Sequence, residues 1–152
     1  MPLDARRVPA ANYHMTLAFA GEVSHAQAAA LRTVGAAARL PAFEVCFEAC
    51  EYWQRPAVVV AAASSCPPSL LTLHRRLLAE FDRLGLPGDP VPFRAHVTVA
   101  RKVTQAPVLP AMSQLCWSVR AVHLVHSARS TQASVYTVVD TWPLLDNEPR
   151  AE

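Results

Sequence analysis

Two segments of the chain alternate between apolar and polar side chains as β-strands do. Residues 13–20 have large apolar side chains at odd positions, with His14 and Thr16 among the even ones. Residues 93–102 repeat this pattern with His96 and Thr98. Side chains two apart on a strand point the same way, so each histidine would share a face with its threonine. Both segments are therefore predicted strands that carry a polar pair where a core-facing row would be apolar.

Two helices are predicted. Ser24 and Gln27 have the spacing of a capping box, followed by an alanine-rich helix over 25–38. Leucines at helical spacing predict a second helix that begins at the Pro67-Pro68 pair and ends before Gly85.

The remaining apolar patterns predict four more strands, at 43–53, 57–64, 117–125 and 134–142. Arg55-Pro56 would form the turn between the first two, and the seven residues 127–133 would lie in the loop of a β-hairpin. Helices mixed with strands in this order indicate an α+β fold.

Composition is typical of one folded domain or two small lobes. The chain has 152 residues, of which 52% are hydrophobic and 17% charged, which suffices for a core and argues against global disorder. No apolar run of about 18 residues predicts a membrane span, and the first residues lack the apolar core of a signal peptide. A cytoplasmic location is therefore expected. The net charge of +2 gives no overall basic field for nucleic acid.

The four cysteines are predicted to be reduced thiols that fill small apolar spaces. None of them forms the C-x-x-C spacing of a structural zinc site. They are Cys46, Cys50, Cys66 and Cys116.

The doubled His-x-Thr pattern has the parts needed for acid–base catalysis on a phosphodiester. Near neutral pH a neutral imidazole can take a proton from water, and a charged one can give a proton to a departing alkoxide. Threonine hydroxyls can donate hydrogen bonds to phosphate oxygens. No metal is required, and the substrate best matched is a strained cyclic diester with a sugar hydroxyl as leaving group.

The stretches "NYHMTLAFAGEV" and "PFRAHVTVARKV" resemble the two signatures of the two-histidine (2H) phosphoesterase superfamily. The chain is most similar to the RNA 2′,3′-cyclic phosphodiesterase branch, historically called 2′-5′ RNA ligases. The resemblance covers about residues 8–145 and includes Val8-Pro9, the leucine-rich helix, "LVHSARS" and "YTVVDTWPL".

The resemblance implies a single domain over residues 1–152, with two pseudo-symmetric lobes of antiparallel sheet backed by helices. A central cleft would carry the two HxT motifs. Relatives usually have a further strand and helix before the first motif, so the first lobe here is expected to lack that initial pair.

The resemblance also implies roles for particular residues. His14 would protonate the 3′ oxygen, His96 would activate water, and Thr16 and Thr98 would hold phosphate oxygens. Arg101 would contact the terminal base, but strict alternation puts it on the face opposite His96, so it reaches the site only if the strand ends or bulges near Ala100.

Two further residues, Ser127 and Arg129, follow a late strand where relatives carry a serine near the phosphate. They complete the predicted substrate-binding set.

The implied activity is metal-independent hydrolysis of an RNA terminal 2′,3′-cyclic phosphate to a 2′-phosphate, without a cofactor. The expected partner is an RNA 3′ end or a nucleotide with a cyclic phosphate; no membrane is expected, and the chain would act as a monomer. Alternatives are a non-catalytic module that binds RNA ends, a 2′-5′ RNA ligase or a phosphodiesterase for small cyclic nucleotides. A His/Cys metal protein is a weaker one.

Overall fold

The computed structural model describes residues 4–88, 92–129 and 134–146, and it confirms the α+β class. The chain divides into two compact units. The first unit contains Met1–Leu17, Val45–Cys66 and Pro92–Trp117, and the second contains Ala18–Glu44, Pro67–Val91 and Ser118–Glu152. None of the helices in the described ranges is both long and apolar enough to cross a membrane.

The first unit is built on a four-stranded antiparallel sheet. In spatial order its strands are β1 (Arg6–Arg7), β5 (His96–Arg101), β4 (Val58–Ala62) and β3 (Ala49–Trp53). The central strand β4 is an apolar, β-branched run that is buried on both faces, as its sequence predicts. One face carries the cluster Val58, Val60 and Ala62, and the other carries Val59, Ala100 and Val103.

A β-bulge interrupts the pairing of β4 with β5. Val60 lies opposite Thr98, whereas Val59, the residue before it on β4, lies opposite Ala100. Val99 is therefore an extra residue on β5, and beyond it the alternation of side chains is shifted by one position. Arg101 consequently lies opposite Val58, on the same face as Val60 and Thr98.

The prediction of a strand over residues 13–20 is wrong. The edge of β5 is paired instead with β1, and the Val8 N–H extends that pairing with a 2.9 Å hydrogen bond to the Val99 carbonyl. A 3-10 helix, Ala10–Asn12, then follows, and residues 13–20 join no strand. Alternation in the sequence is compatible with extended backbone, but a strand also needs an edge to pair with.

The second unit contains both helices, α1 (His25–Ala37) and α2 (Pro68–Arg83). The predicted capping box is confirmed, because Ser24 and Gln27 exchange side-chain-to-backbone hydrogen bonds. Gly85, with a φ of +65°, lies just beyond α2, where the left-handed conformation commonly terminates a helix. Leu31, Phe81 and Leu86 form a buried apolar cluster in this unit.

A β-hairpin completes the second unit, formed by β7 (Ala121–Arg129) and β8 (Ser134–Pro143). The predicted hairpin is confirmed, but β7 extends into the predicted loop, and residues 130–133 lie outside the described residues. The predicted strand over 117–125 is divided at Arg120, which separates β7 from β6 (Leu115–Val119). The strand over 43–53 is likewise divided at Glu48, where β2 (Phe43–Phe47) ends and β3 follows.

The prediction that all four cysteines are reduced is wrong for one pair. β2 and β6 form a separate two-stranded sheet, and Cys46 of β2 is joined to Cys116 of β6 by a disulfide. The two cysteines are 70 positions apart in the chain, so no local sequence spacing predicts the disulfide. Cys50 and Cys66 remain thiols, and partial burial raises the pKa of each above its ordinary value.

Candidate active site

The two histidines of the HxT motifs make the same backbone hydrogen bond. His14 Nδ1 lies 2.7 Å from the Asn12 carbonyl oxygen, and His96 Nδ1 lies 2.7 Å from the Arg94 carbonyl oxygen. A carbonyl oxygen only accepts hydrogen bonds, so Nδ1 carries the proton in both rings. In the neutral ring, the lone pair is then on Nε2. That nitrogen is the one that can accept or donate a proton during a reaction.

His96, Thr98 and Arg101 share one face of the four-stranded sheet. His96 lies opposite Ala62 and Thr98 opposite Val60, so both project on the side of the apolar cluster formed by β4. The bulge at Val99 brings Arg101 to this face as well. The sequence predicted that Arg101 would reach this face only if the strand ended or bulged near Ala100, and the bulge lies one residue before it, at Val99.

The first motif lies in irregular backbone in the same unit. His14 follows the 3-10 helix by two residues and is half-buried, whereas Thr16 is exposed. The first unit thus contains both histidines, both threonines and Arg101.

The other two predicted site residues belong to the second unit. Ser127 is exposed on β7, opposite Tyr136. Arg129 is the last residue of β7, opposite Ser134, and its side chain lies outside the described part of the structure. Their roles stay predictions.

Three residues around His96 escaped the sequence reasoning. The Trp53 indole packs on the His96 imidazole, with ring centroids 4.5 Å apart and an angle of 53° between the ring planes. Glu51 accepts a 2.9 Å hydrogen bond from Trp53 Nε1 and pairs with both terminal nitrogens of Arg94, at 2.5 and 2.7 Å. First the Trp53 hydrogen bond and then the Arg94 guanidinium hold the pKa of the Glu51 carboxyl below its ordinary value.

The register of β3 explains why these side chains meet. Glu51 lies opposite Val60 and Trp53 opposite Val58, so both share the face of His96 and Thr98. A signal for this was present in the sequence. Glu51 stands at an odd position of the segment 43–53, where the other odd positions are apolar. A carboxylate in such a row is a candidate functional group.

Arg6 was also missed, and it extends the same row at the other edge of the sheet, on β1. It lies directly across from Arg101 on β1, so the two positions share a face. A two-residue edge strand rich in arginine gave no periodic signal in the sequence.

The disulfide bears on the metal-protein alternative. Cys46 and Cys116 are bonded to each other, so neither offers the thiolate that a zinc site would need.

Comparison with known proteins gives a consistent result. Residues 3–131 match the 2′-5′ RNA ligase superfamily. The chain is 30% identical over 144 residues to the RNA 2′,3′-cyclic phosphodiesterase of Escherichia coli K12, across 94% of this chain and 82% of that protein. It is 35% identical over 77 residues to the Thermus thermophilus protein of the same name, across 50% of this chain and 38% of that one. The crystal structure of E. coli LigT complexed with 3′-AMP superposes with a TM-score of 0.87 at 30% identity, covering 95% of this chain and 83% of that one.

Proposed function

Because the chain belongs to the 2′-5′ RNA ligase superfamily, we propose that it hydrolyses the terminal 2′,3′-cyclic phosphate of RNA to a 2′-phosphate. The two relatives with this name, one of which aligns with nearly the whole chain, support the assignment. The observation that carries it is the repeated hydrogen bond from Nδ1 to the carbonyl two residues earlier. That bond prepares Nε2 of both histidines for proton transfer.

The proposed reaction divides the proton transfers between the two rings. Nε2 of His96 takes a proton from water, whose oxygen forms a bond to phosphorus. The bond between phosphorus and the 3′ oxygen breaks, and protonated His14 gives its Nε2 proton to that oxygen. The products are a 2′-phosphate and a 3′-hydroxyl. Thr16 and Thr98 donate hydrogen bonds to the non-bridging oxygens, whose charge grows as water attacks.

Substrate contacts beyond the phosphate are proposed for Arg101, Ser127 and Arg129. Arg101 has the clearest structural support, because the bulge turns it toward the face that carries His96 and Thr98. The substrate is an RNA 3′ end or a nucleotide with a cyclic phosphate. The chemistry uses only proton transfer and hydrogen bonding from the chain's own side chains.

The test is turnover of an RNA oligonucleotide that ends in a 2′,3′-cyclic phosphate, with EDTA present. His14→Ala and His96→Ala should each reduce kcat by roughly 10²- to 10⁴-fold, which is the usual contribution of a general acid or base. His25→Ala is the matched control, since His25 is exposed in the first turn of α1. Equal turnover by wild type and His96→Ala would contradict the proposal.

Ligation is a second candidate, favoured by the name of the matched superfamily. In this reaction an RNA 5′-hydroxyl replaces water: its oxygen bonds to phosphorus, His96 takes its proton, and the 3′ oxygen leaves with the proton of His14. The product is a 2′-5′ linkage. Adding a 5′-hydroxyl RNA acceptor to the same assay distinguishes the two reactions, because only ligation lengthens the labelled strand. Binding measured without turnover would instead support the RNA-binding module.

A further inference from the structure

His96 is part of a closed cycle of four residues in contact within the first unit. The contacts run from the Arg94 carbonyl to His96 Nδ1, from the imidazole to the tilted Trp53 indole, and from Trp53 Nε1 to Glu51. The carboxylate of Glu51 then completes the cycle by accepting two hydrogen bonds from the Arg94 guanidinium. Arg94 therefore acts twice. Its backbone carbonyl accepts a hydrogen bond from His96, and its side chain binds Glu51, which in turn binds Trp53.

We propose that Trp53, fixed by Glu51 and Arg94, is a positioning residue that holds the His96 imidazole in its reactive orientation. This inference rests on the proposed function, because it assigns to Trp53 the placement of the proposed general base. Rotation of the imidazole about the Cβ–Cγ bond would exchange Nε2 with Cε1 and break the hydrogen bond to the Arg94 carbonyl. Packing of the indole against the imidazole opposes that rotation.

The role of the Glu51–Arg94 pair is to fix the orientation of the two side chains beside Trp53. The side chains of Arg94 and Glu51 are 46% and 28% exposed, and ion pairs of this kind add little to folding stability. Two parallel hydrogen bonds nevertheless fix the planes of both groups. The guanidinium also lies 5.8 Å from the Trp53 ring centroid, which is within the range of a cation–π contact. The indole is thus held at its Nε1 edge and on its ring.

Three substitutions separate the parts of this arrangement. Trp53→Leu removes both the aromatic face and the Nε1 donor, whereas Trp53→Phe keeps an aromatic face. Glu51→Gln keeps the side-chain volume but removes the charge that binds Arg94. Glu80→Gln is the matched control, since Glu80 forms a comparable exposed pair with Arg83 inside α2.

The experiment combines steady-state kinetics on the cyclic phosphate with long-range ¹H–¹⁵N spectra of the histidine rings. In wild type, His96 should be a single tautomer with the proton on Nδ1. Trp53→Leu should shift both ring nitrogens toward averaged values and lower kcat roughly 10- to 100-fold, as misplacement by about 1 Å can do. KM should stay within about 3-fold, a margin that allows for small changes in ground-state binding. Trp53→Phe keeps an aromatic ring but lacks the Nε1 donor, so Trp53→Phe and Glu51→Gln should each lose less kcat than Trp53→Leu and more than Glu80→Gln.

The proposal requires the ring nitrogens and kcat to change together in Trp53→Leu, while Glu80→Gln changes neither. A change in one without the other overturns it, as does no change at all. If Trp53→Leu does not fold, Glu51→Gln provides the same comparison without the loss of a packed ring. If wild type does not turn over the cyclic phosphate, the proposed function fails, and the tautomer measurement alone decides whether Trp53 holds the ring.

Discussion

Replacing Gly35 with alanine should destabilise the protein, although glycine is a poor helix residue. In the interior of a helix such as α1, the change ordinarily adds about 1 kcal/mol of stability. Here the new Cβ would overlap three indole carbons of Trp142, which projects from β8 onto the helix. Overpacking of this kind costs roughly 1–3 kcal/mol. A cavity of about 270 Å³, lined by both residues, gives the indole some room to move, which favours the middle of that range.

The overpacking cost therefore exceeds the helical gain by about 1 kcal/mol, which would lower the Tm by roughly 2–4 °C. Urea unfolding followed by circular dichroism measures the change. Ala29→Gly, at an exposed position of the same helix, calibrates the helical term. The decisive comparison is Gly35→Ala in a Trp142→Leu background, where the clash is relieved and the substitution should become stabilising. If Gly35→Ala stabilises both backgrounds equally, the packing argument is refuted.

Three further predictions concern the first unit. Arg101→Met should raise KM for the cyclic phosphate roughly 10-fold, the cost of one hydrogen bond to a charged group, and an unchanged KM would remove Arg101 from the binding set. Thiol titration of the unfolded, unreduced chain should find Cys50 and Cys66 only, and reducing the disulfide should cost about 2–4 kcal/mol of stability; reactive thiols at all four positions would contradict the pairing. The hydrogen bonds from Trp53 and then from Arg94 lower the pKa of the Glu51 carboxyl. The stabilisation that these bonds provide is therefore complete above the ordinary pKa of 4.5 and is lost as the pH falls through the lower pKa of the folded state. The stability difference between wild type and Glu51→Gln should therefore be constant near neutral pH and shrink in acid, and a difference that persists until acid unfolding would refute the linkage.

The helices were predictable because their signals are local. The Ser24–Gln27 capping box and Gly85 after α2 act within a few residues of the helix ends they define. Strand partners are set over long distances, and there the sequence was less informative. Residues 13–20 alternate correctly, but β1 pairs with the edge of β5. The disulfide between Cys46 and Cys116 depends in the same way on the pairing of β2 with β6.

The candidate site shows the same division between local and distant information. The spacing within each HxT motif is local, so the four motif residues could be named from the sequence. The position of Arg101 could only be stated as a condition, because the bulge arises from the pairing of Val59 with Ala100. Trp53 and Glu51 were missed because their proximity to His96 depends on the registers of two strand pairs.

Hydrogen bonds explain how the polar groups of His96 and Trp53 can lie beside apolar side chains of β4 on the same face of the sheet. The side chains of Val58 and Val60 are almost fully buried on the face that carries His96. Buried or half-buried polar groups next to apolar side chains lower the stability of the fold unless they are hydrogen-bonded. Glu51 satisfies this requirement for Trp53, while the Arg94 carbonyl satisfies it for Nδ1 of His96. Once Nδ1 is committed to the backbone, Nε2 is the ring nitrogen left for chemistry, so the bonds that make the polar face stable also determine which atom of His96 can react.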